Sequence, residues 1–294
     1  MVRKHLCALL LASCFSGTVF AGHKIVFLIS TPRSLSTAFL RAIQARGEVD
    51  KQYYMSIFNE PFMPVSWWQD EALGGYNRPE APKTYQMAVD QILTEAERSA
   101  VFIKEQSYIV QELLQYDDRL FNNSNVTFAI LLRNPHHITI SFYKKLGKTF
   151  DKFSDLIGQK GCYELWQEIK KRTGKSPVIV ITEELYQHPY ETMHQFCQSV
   201  DIPFIPEALQ WKSLGSDFEG TQAWHQTKIL SATQHWHDDA IMSTGFQKPR
   251  EYEVDTQGNP TFSEIENPED REVCKKAYEE NMYYYKLILQ SIGE

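Results

Sequence analysis

The sequence predicts an α/β fold of three layers, a central, mostly parallel sheet flanked by helices. Three observations predict it. Short β-branched and aromatic runs alternate with helical patterns from residue 24 to about residue 200. One run, Val126–Leu132 (VTFAILL), is apolar without interruption, as a strand covered on both faces should be. Several runs stop at polar loops rich in Arg, Ser, Thr or Glu, and open parallel sheets keep their chemistry at the carboxyl ends of their strands.

The first strand is predicted at Lys24–Ile29. Ser30-Thr31-Pro32-Arg33-Ser34 is its turn, and a helix runs from Leu35 with Ala38, Phe39, Ala42 and Ile43 on one face and Gly47 as its stop. Strand, polar loop and helix start together make an anion-binding geometry, because unbonded N–H groups and the positive end of the helix dipole converge there. Ser34, Ser36 and Thr37 add hydroxyls, and Arg33 adds a fixed charge. The loop lacks the glycines and lysine of a Walker A motif.

A second strand is predicted at Gln52–Phe58, ending in Asn59-Glu60-Pro61-Phe62, so Glu60 falls at a strand end. Met63–Pro82 reads as a loop carrying Trp67, Trp68 and Tyr76, aromatics able to stack on a substrate or on one another. A helix over Lys83–Arg98 and a third strand at Ala100–Lys104 follow, then a helix capped by Ser107. Asp117–Asn125 is a polar loop. After Val126–Leu132 comes Arg133-Asn134-Pro135, with Pro135 opening a helix that ends near Gly147. Arg133 and Ser141 lie about two helical turns apart and can converge on one anion. Adjacent His136 and His137 face different ways and make a poor metal pair. One amphipathic helix is predicted over Phe150–Arg172, a strand at Pro177–Thr182, and a helix from Pro189 to about Val200. Trp211–Gly245 is less regular and reads as a lid; its His235 and His237 with Asp238 do not have the several spaced Cys/His ligands of a zinc site. Pro268–Ile292 is the closing helix.

Composition limits the function classes. The 294 residues are 43% hydrophobic and 23% charged, as in a globular protein. A net charge of −7 argues against a general nucleic-acid binder, so any anion site is a local basic pocket in an acidic protein. At the N-terminus, Arg3, Lys4 and His5 precede an apolar stretch, Leu6–Phe15, and Val19-Phe20-Ala21 fits a cleavage pattern with cutting before Gly22. The expectation is a signal peptide over 1–21, export to the periplasm or medium, and one domain over 22–294. The stretch is short for a membrane span. Leu11-Ala12-Ser13-Cys14 also resembles a lipoprotein box, with Cys14 as the lipid-bearing alternative. Without Cys7 and Cys14 the remaining cysteines are Cys162, Cys197 and Cys274, too few for a disulfide framework and expected to be buried apolar groups.

Three stretches stand together: TPRSLST after the first strand, NEPF after the second, and RNPHHITIS after the strand at 126–132. The combination resembles the sulfotransferase family, in its bacterial sulfotransferase-like branch, over about residues 24 to 250. FIKEQSY at 102–108, ITEELYQHPYETMHQFCQSVDIPF at 181–204 and WHDDAIMSTGF at 236–246 support it. The resemblance implies a P-loop-like fold and a donor, 3′-phosphoadenosine 5′-phosphosulfate (PAPS), that leaves as adenosine 3′,5′-bisphosphate. It implies that Thr31, Pro32, Arg33, Ser34, Leu35, Ser36 and Thr37 hold the 5′-phosphosulfate, with Arg33 also catalytic at the bridging oxygen. Arg133 and Ser141 then grip the 3′-phosphate. The Lys-Thr-His stretch of many cytosolic members is here Lys104-Glu105-Gln106, without the histidine; other branches place a glutamate just after the second strand, so the resemblance implies Glu60 as the base, with Glu105 the alternative. The glycine-rich stretch that closes over the nucleotide in those members is missing too, and the Ser243–Phe246 region is its expected replacement. The acceptor is a small molecule or carbohydrate bearing a hydroxyl or amine, and no metal is required. Two readings compete: an inactive relative that binds a nucleotide or a partner, and an ATP-using phosphotransferase.

Overall fold

The computed structural model describes residues 22–66, 82–213 and 238–292. Five parallel strands form one sheet in the order β2-β3-β1-β4-β5. They are β1 (Ile25–Ser30), β2 (Ser56–Asn59), β3 (Val101–Gln106), β4 (Val126–Leu132) and β5 (Val178–Ile181). The three-layer α/β arrangement is the one the sequence predicts. β1 is its pillar: Ile25 to Ile29 are completely buried. Burying each such side chain is worth roughly 1.5–3 kcal/mol. Alternation sends Ile25, Phe27 and Ile29 into one core, and Val26 and Leu28 into the other.

The helices divide between these two faces. α1 (Ser36–Val49), α7 (Thr182–Gln187) and α8 (Pro189–Ser199) pack on the Val26/Leu28 side. α2 (Tyr85–Ala96), α3 (Ser107–Tyr116), α4 (Pro135–Leu146), α5 (Phe153–Ile157) and α6 (Gln159–Thr173) pack on the other side. The terminal helix Pro268–Ile292 lies across α4, α5 and α6. The helix after β1 therefore goes to one face, while those after β3 and β4, its two neighbours, go to the other. That reversal opens a crevice beyond the carboxyl ends of β1, β3 and β4.

Several element boundaries differ from the sequence reading. The first half of the expected second strand is a 3-10 turn, Lys51–Tyr53, because the Asp50 side chain accepts the Gln52 N–H at 2.9 Å. Gly47 does not stop α1, which continues to Val49; a Cβ there would lie 3.0 Å from the Tyr54 Cα, so the glycine serves a close approach. The helix expected over 150–172 breaks at Gly158 (φ 85°) into α5 and α6. Ser107 does not cap α3 but donates to the Gly158 carbonyl at 3.0 Å. Cys162, Cys197 and Cys274 are buried and free. No helix among the described residues is long and apolar enough to cross a membrane. Residues 1–21, the aromatic loop with Trp67, Trp68 and Tyr76, and His235 and His237 lie outside the described residues.

Candidate functional site

A cavity of about 1060 Å³ opens over the crevice. Its walls come from the β1–α1 loop (Pro32 to Thr37), from Glu60 and Met63 after β2, and from Lys104, Gln106 and Tyr108 around the end of β3. Arg133 contributes from just after β4 and Ser141 from α4, and the segment after residue 238 closes it with Asp239, Ser243, Thr244, Gly245, Lys248, Arg250 and Tyr252. The residues expected from the sequence to hold the donor or act as base, Glu60, Arg133 and Ser141 included, thus face one space, except Thr31 and the alternative base Glu105. Thr31 is fully buried and lies behind the wall, its hydroxyl without a partner among the described residues.

The β1–α1 loop is built without glycine, yet Arg33 (φ 57°) and Leu35 (φ 62°) are both left-handed. Left-handed residues placed at alternate positions curl successive N–H groups toward one point, a concave anion nest. Leu35, the N-cap residue of α1, makes no side-chain cap, and the first turn of the helix carries no acid. The Ser34 hydroxyl is used inside the loop, donating to the Thr31 carbonyl at 2.6 Å. Glu60 (φ 53°) is left-handed as well. Such non-glycine residues carry about 1–3 kcal/mol of strain each and gather where function needs them. Five occur among the described residues, and three of them line this cavity.

Two cations meet beside the nest. Arg33 Nε donates to Ser141 Oγ at 3.0 Å, and Arg133 Nη1 donates to the Arg33 carbonyl. Arg133 is 4% exposed and its Nε has no partner among the described residues. Burial lowers the Arg133 guanidinium to about 10, the Arg33 charge acting the same way and the Glu183 carboxylate against it. Burial also lowers Arg33, opposed by Asp239, whose carboxylate is 3.8 Å away and 93% exposed. A buried guanidinium, Arg133, and a half-buried one, Arg33, meeting at one cavity wall form a site suited to an anion.

Across the cavity, Glu60 Oε1 accepts from the Lys104 ammonium and from Gln106 Nε2 at 2.8 Å. Lys104 is 1% exposed, so this is a buried ion pair at the cavity wall. Glu105 is fully buried and does not reach the cavity. Its carboxylate accepts the N–H groups of Phe62 (2.9 Å) and Gln106 (2.8 Å), which ties the turn after β2 to the end of β3. Burial, and then the Glu60 charge, raise its pKa. Lys104 and Gln106 escaped the sequence reading as site residues, although they follow directly from the third strand's end. Lys144 and Lys145, one turn past Ser141, and Lys248 and Arg250 add to the basic wall; the last two carry no motif that would mark them. Among the described residues no group of three His, Cys, Asp or Glu is placed to hold a metal.

No protein-family model matches the chain, and no curated protein matches it. Among solved structures it is similar to the sulfotransferase domain from the Synechococcus PCC 7002 olefin synthase, at 15% identity over 74% of this chain and 88% of that one, with a TM-score of 0.39. It is also similar to the sulfotransferase domain from the curacin biosynthetic pathway, at 17% identity over 80% of this chain and 95% of that one, with a TM-score of 0.40.

Proposed function

We propose that the chain is a sulfotransferase that takes a sulfuryl group from PAPS and passes it to a hydroxyl or amine acceptor. The observation that carries this reading is the meeting of Arg33, Arg133 and Ser141, from two different strand ends, beside a loop shaped to hold an anion. A single cavity then offers two anion subsites, and a donor with phosphate at both its 5′ and 3′ positions uses both. The nest and the start of α1 receive the 5′-phosphosulfate; Arg133 and Ser141 receive the 3′-phosphate. ATP has nothing to place in the second subsite.

The acceptor oxygen attacks sulfur in line. A new O–S bond forms, the S–O bond to the 5′-phosphate breaks, and the bond electrons leave on that phosphate oxygen. Arg33 and the nest N–H groups stabilise the charge that grows there; removing one preorganised donor of this type typically lowers rate about 10²–10³-fold. Glu60 takes the acceptor's proton, a contribution of about 10²–10⁴-fold. Lys104 holds the Glu60 carboxylate at the wall until the acceptor enters. The Glu60–Lys104 pair also favours a second reading, a nucleotide-binding relative without transfer, in which the pair is structural only.

Calorimetric binding of adenosine 3′,5′-bisphosphate and ATP to residues 22–294 separates these readings from an ATP-using enzyme. Binding that requires the 3′-phosphate and falls with Arg133→Ala supports the donor site. Equal affinity for ATP, or no binding by folded protein, removes it. Sulfuryl transfer to a panel of sugars and phenols then separates the enzyme from the inactive relative.

A further inference from the structure

We propose that Thr182, together with Arg133, is a positioning residue that sets the backbone of the anion nest by holding two successive peptide planes of the β1–α1 loop. The proposal deepens the donor-site reading and uses it only to choose nucleotide probes.

The peptide group is planar and trans, so fixing a carbonyl fixes the N–H on the opposite side of the same plane. The Arg33 carbonyl is held by Arg133 Nη1, which orients the Ser34 N–H. The Ser34 carbonyl is held by Thr182 Oγ1 at 2.9 Å, which orients the Leu35 N–H. These planes flank the left-handed residues Arg33 and Leu35, whose conformations a chain without glycine does not choose unaided. Both clamps come from outside the loop, from the ends of β4 and β5, and both are rigidly mounted. The Arg133 carbonyl accepts from Gln159 Nε2 at 2.8 Å, and the Gln159 N–H is held by Asn281 Oδ1 at 3.0 Å. Thr182 is fully buried at the start of α7 and does not line the cavity. Any effect of Thr182 on an anion therefore passes through the loop, whereas Arg133 also reaches the anion directly.

The test compares AMP, which has only a 5′-phosphate, with adenosine 3′,5′-bisphosphate, by calorimetry on wild type, Thr182→Val, Thr182→Ser and Arg133→Ala. Loss of one neutral hydrogen bond predicts about a three- to tenfold lower affinity of Thr182→Val for both nucleotides. Thr182→Ser keeps the hydroxyl and restores wild-type affinity. Arg133→Ala weakens AMP as well as the bisphosphate, the bisphosphate more. An AMP affinity within twofold of wild type in Thr182→Val or in Arg133→Ala overturns the proposal. A second readout needs no nucleotide: hydrogen exchange of residues 33–37 in ligand-free protein speeds up in Thr182→Val and Arg133→Ala and returns to normal in Thr182→Ser. Unchanged exchange overturns the clamp on its own. Wild-type protein that binds neither nucleotide ends the donor reading, and the exchange result then decides the clamp.

Discussion

Replacing Lys104 by Met should destabilise the protein strongly, and adding Glu60→Gln should return part of the loss. The ammonium is 1% exposed and ion-paired with Glu60 Oε1, whose side chain is 10% exposed. Removing one partner of a buried pair costs about 3–5 kcal/mol, because the other charge stays behind. Here the stranded group is a carboxylate only 10% exposed, left beside the neutral amide of Gln106, which makes the upper half of that range the expectation. Glu60→Gln strands the ammonium instead, but the amide oxygen still accepts from it, so the lower half is expected. The double variant buries no net charge at this place. Its destabilisation should fall short of the sum of the two by about 2–3 kcal/mol, the upper part of the range for residues in contact. The losses are large against a typical total stability of about 5–15 kcal/mol, so urea titrations at pH 7 resolve them provided the slope is unchanged. Additivity within about 0.5 kcal/mol would refute the reasoning, since two side chains that do not feel one another are not a buried pair.

The remaining predictions follow from the same cluster and from the chain's start. Glu60→Gln should lower sulfuryl transfer about 10²–10⁴-fold while calorimetry shows the affinity for adenosine 3′,5′-bisphosphate within twofold of wild type; full turnover would remove Glu60 as the base. Burial and the Glu60 charge raise Glu105 from an ordinary 4.5 to about 8, so the folded state keeps a proton that the unfolded chain has released. Its contribution to stability is therefore present below about pH 4.5 and is lost as pH rises toward 8. Glu105→Gln should flatten that limb in urea titrations across pH 5–8, from a lower baseline because an amide suits only one of its two N–H partners. Wild type whose stability is constant over that range would contradict the shift. We propose export with cleavage before Gly22: the Gly22 carbonyl accepts from Asn125 Nδ2 at 3.1 Å and the His23 N–H bonds the Ala96 carbonyl at 2.7 Å, so the cut leaves the first contacts of the fold in place. N-terminal sequencing of the mature protein should begin at Gly22; a chain beginning at Met1 would exclude cleavage.

The parallel sheet was legible because its strands have a simple physical signature. β4 has the predicted bounds and β5 lies within one residue of them at each end, since a strand covered on both faces must be apolar throughout. Glycine was harder to read, because one residue type serves several purposes. Gly147, left-handed at φ 74°, ends α4 as expected. Gly47 lies inside α1 to admit Tyr54, and Gly158 breaks a helix that its neighbours' periodicity would continue. At Gly158 a Cβ would stand 2.7 Å from Ser107 Oγ, a residue about fifty positions away. No local pattern contains that distance.

The same limit explains what was visible of the site. Residues directly after strand ends could be grouped from the sequence, because parallel strands bring all their carboxyl ends to one edge whatever the details of packing. The conformations that shape the nest could not. A left-handed turn normally announces itself through glycine or asparagine, and here Arg33, Leu35 and Glu60 occupy those positions. What holds them comes from elsewhere in the chain: Arg133 on the Arg33 carbonyl, Thr182 on the Ser34 carbonyl, and the Lys104 carbonyl receiving the Glu60 N–H at 2.6 Å. Strain of about 1–3 kcal/mol per residue is stable only when the surroundings over-determine it. The holding residues are therefore part of the site even where, like Thr182, they never face the cavity. It follows that a substitution at Thr182 should act on anion affinity before it acts on the fold. Leu35→Gly relieves the left-handed strain, but glycine admits a wider range of backbone angles, so the loop would gain freedom where the anion needs it fixed.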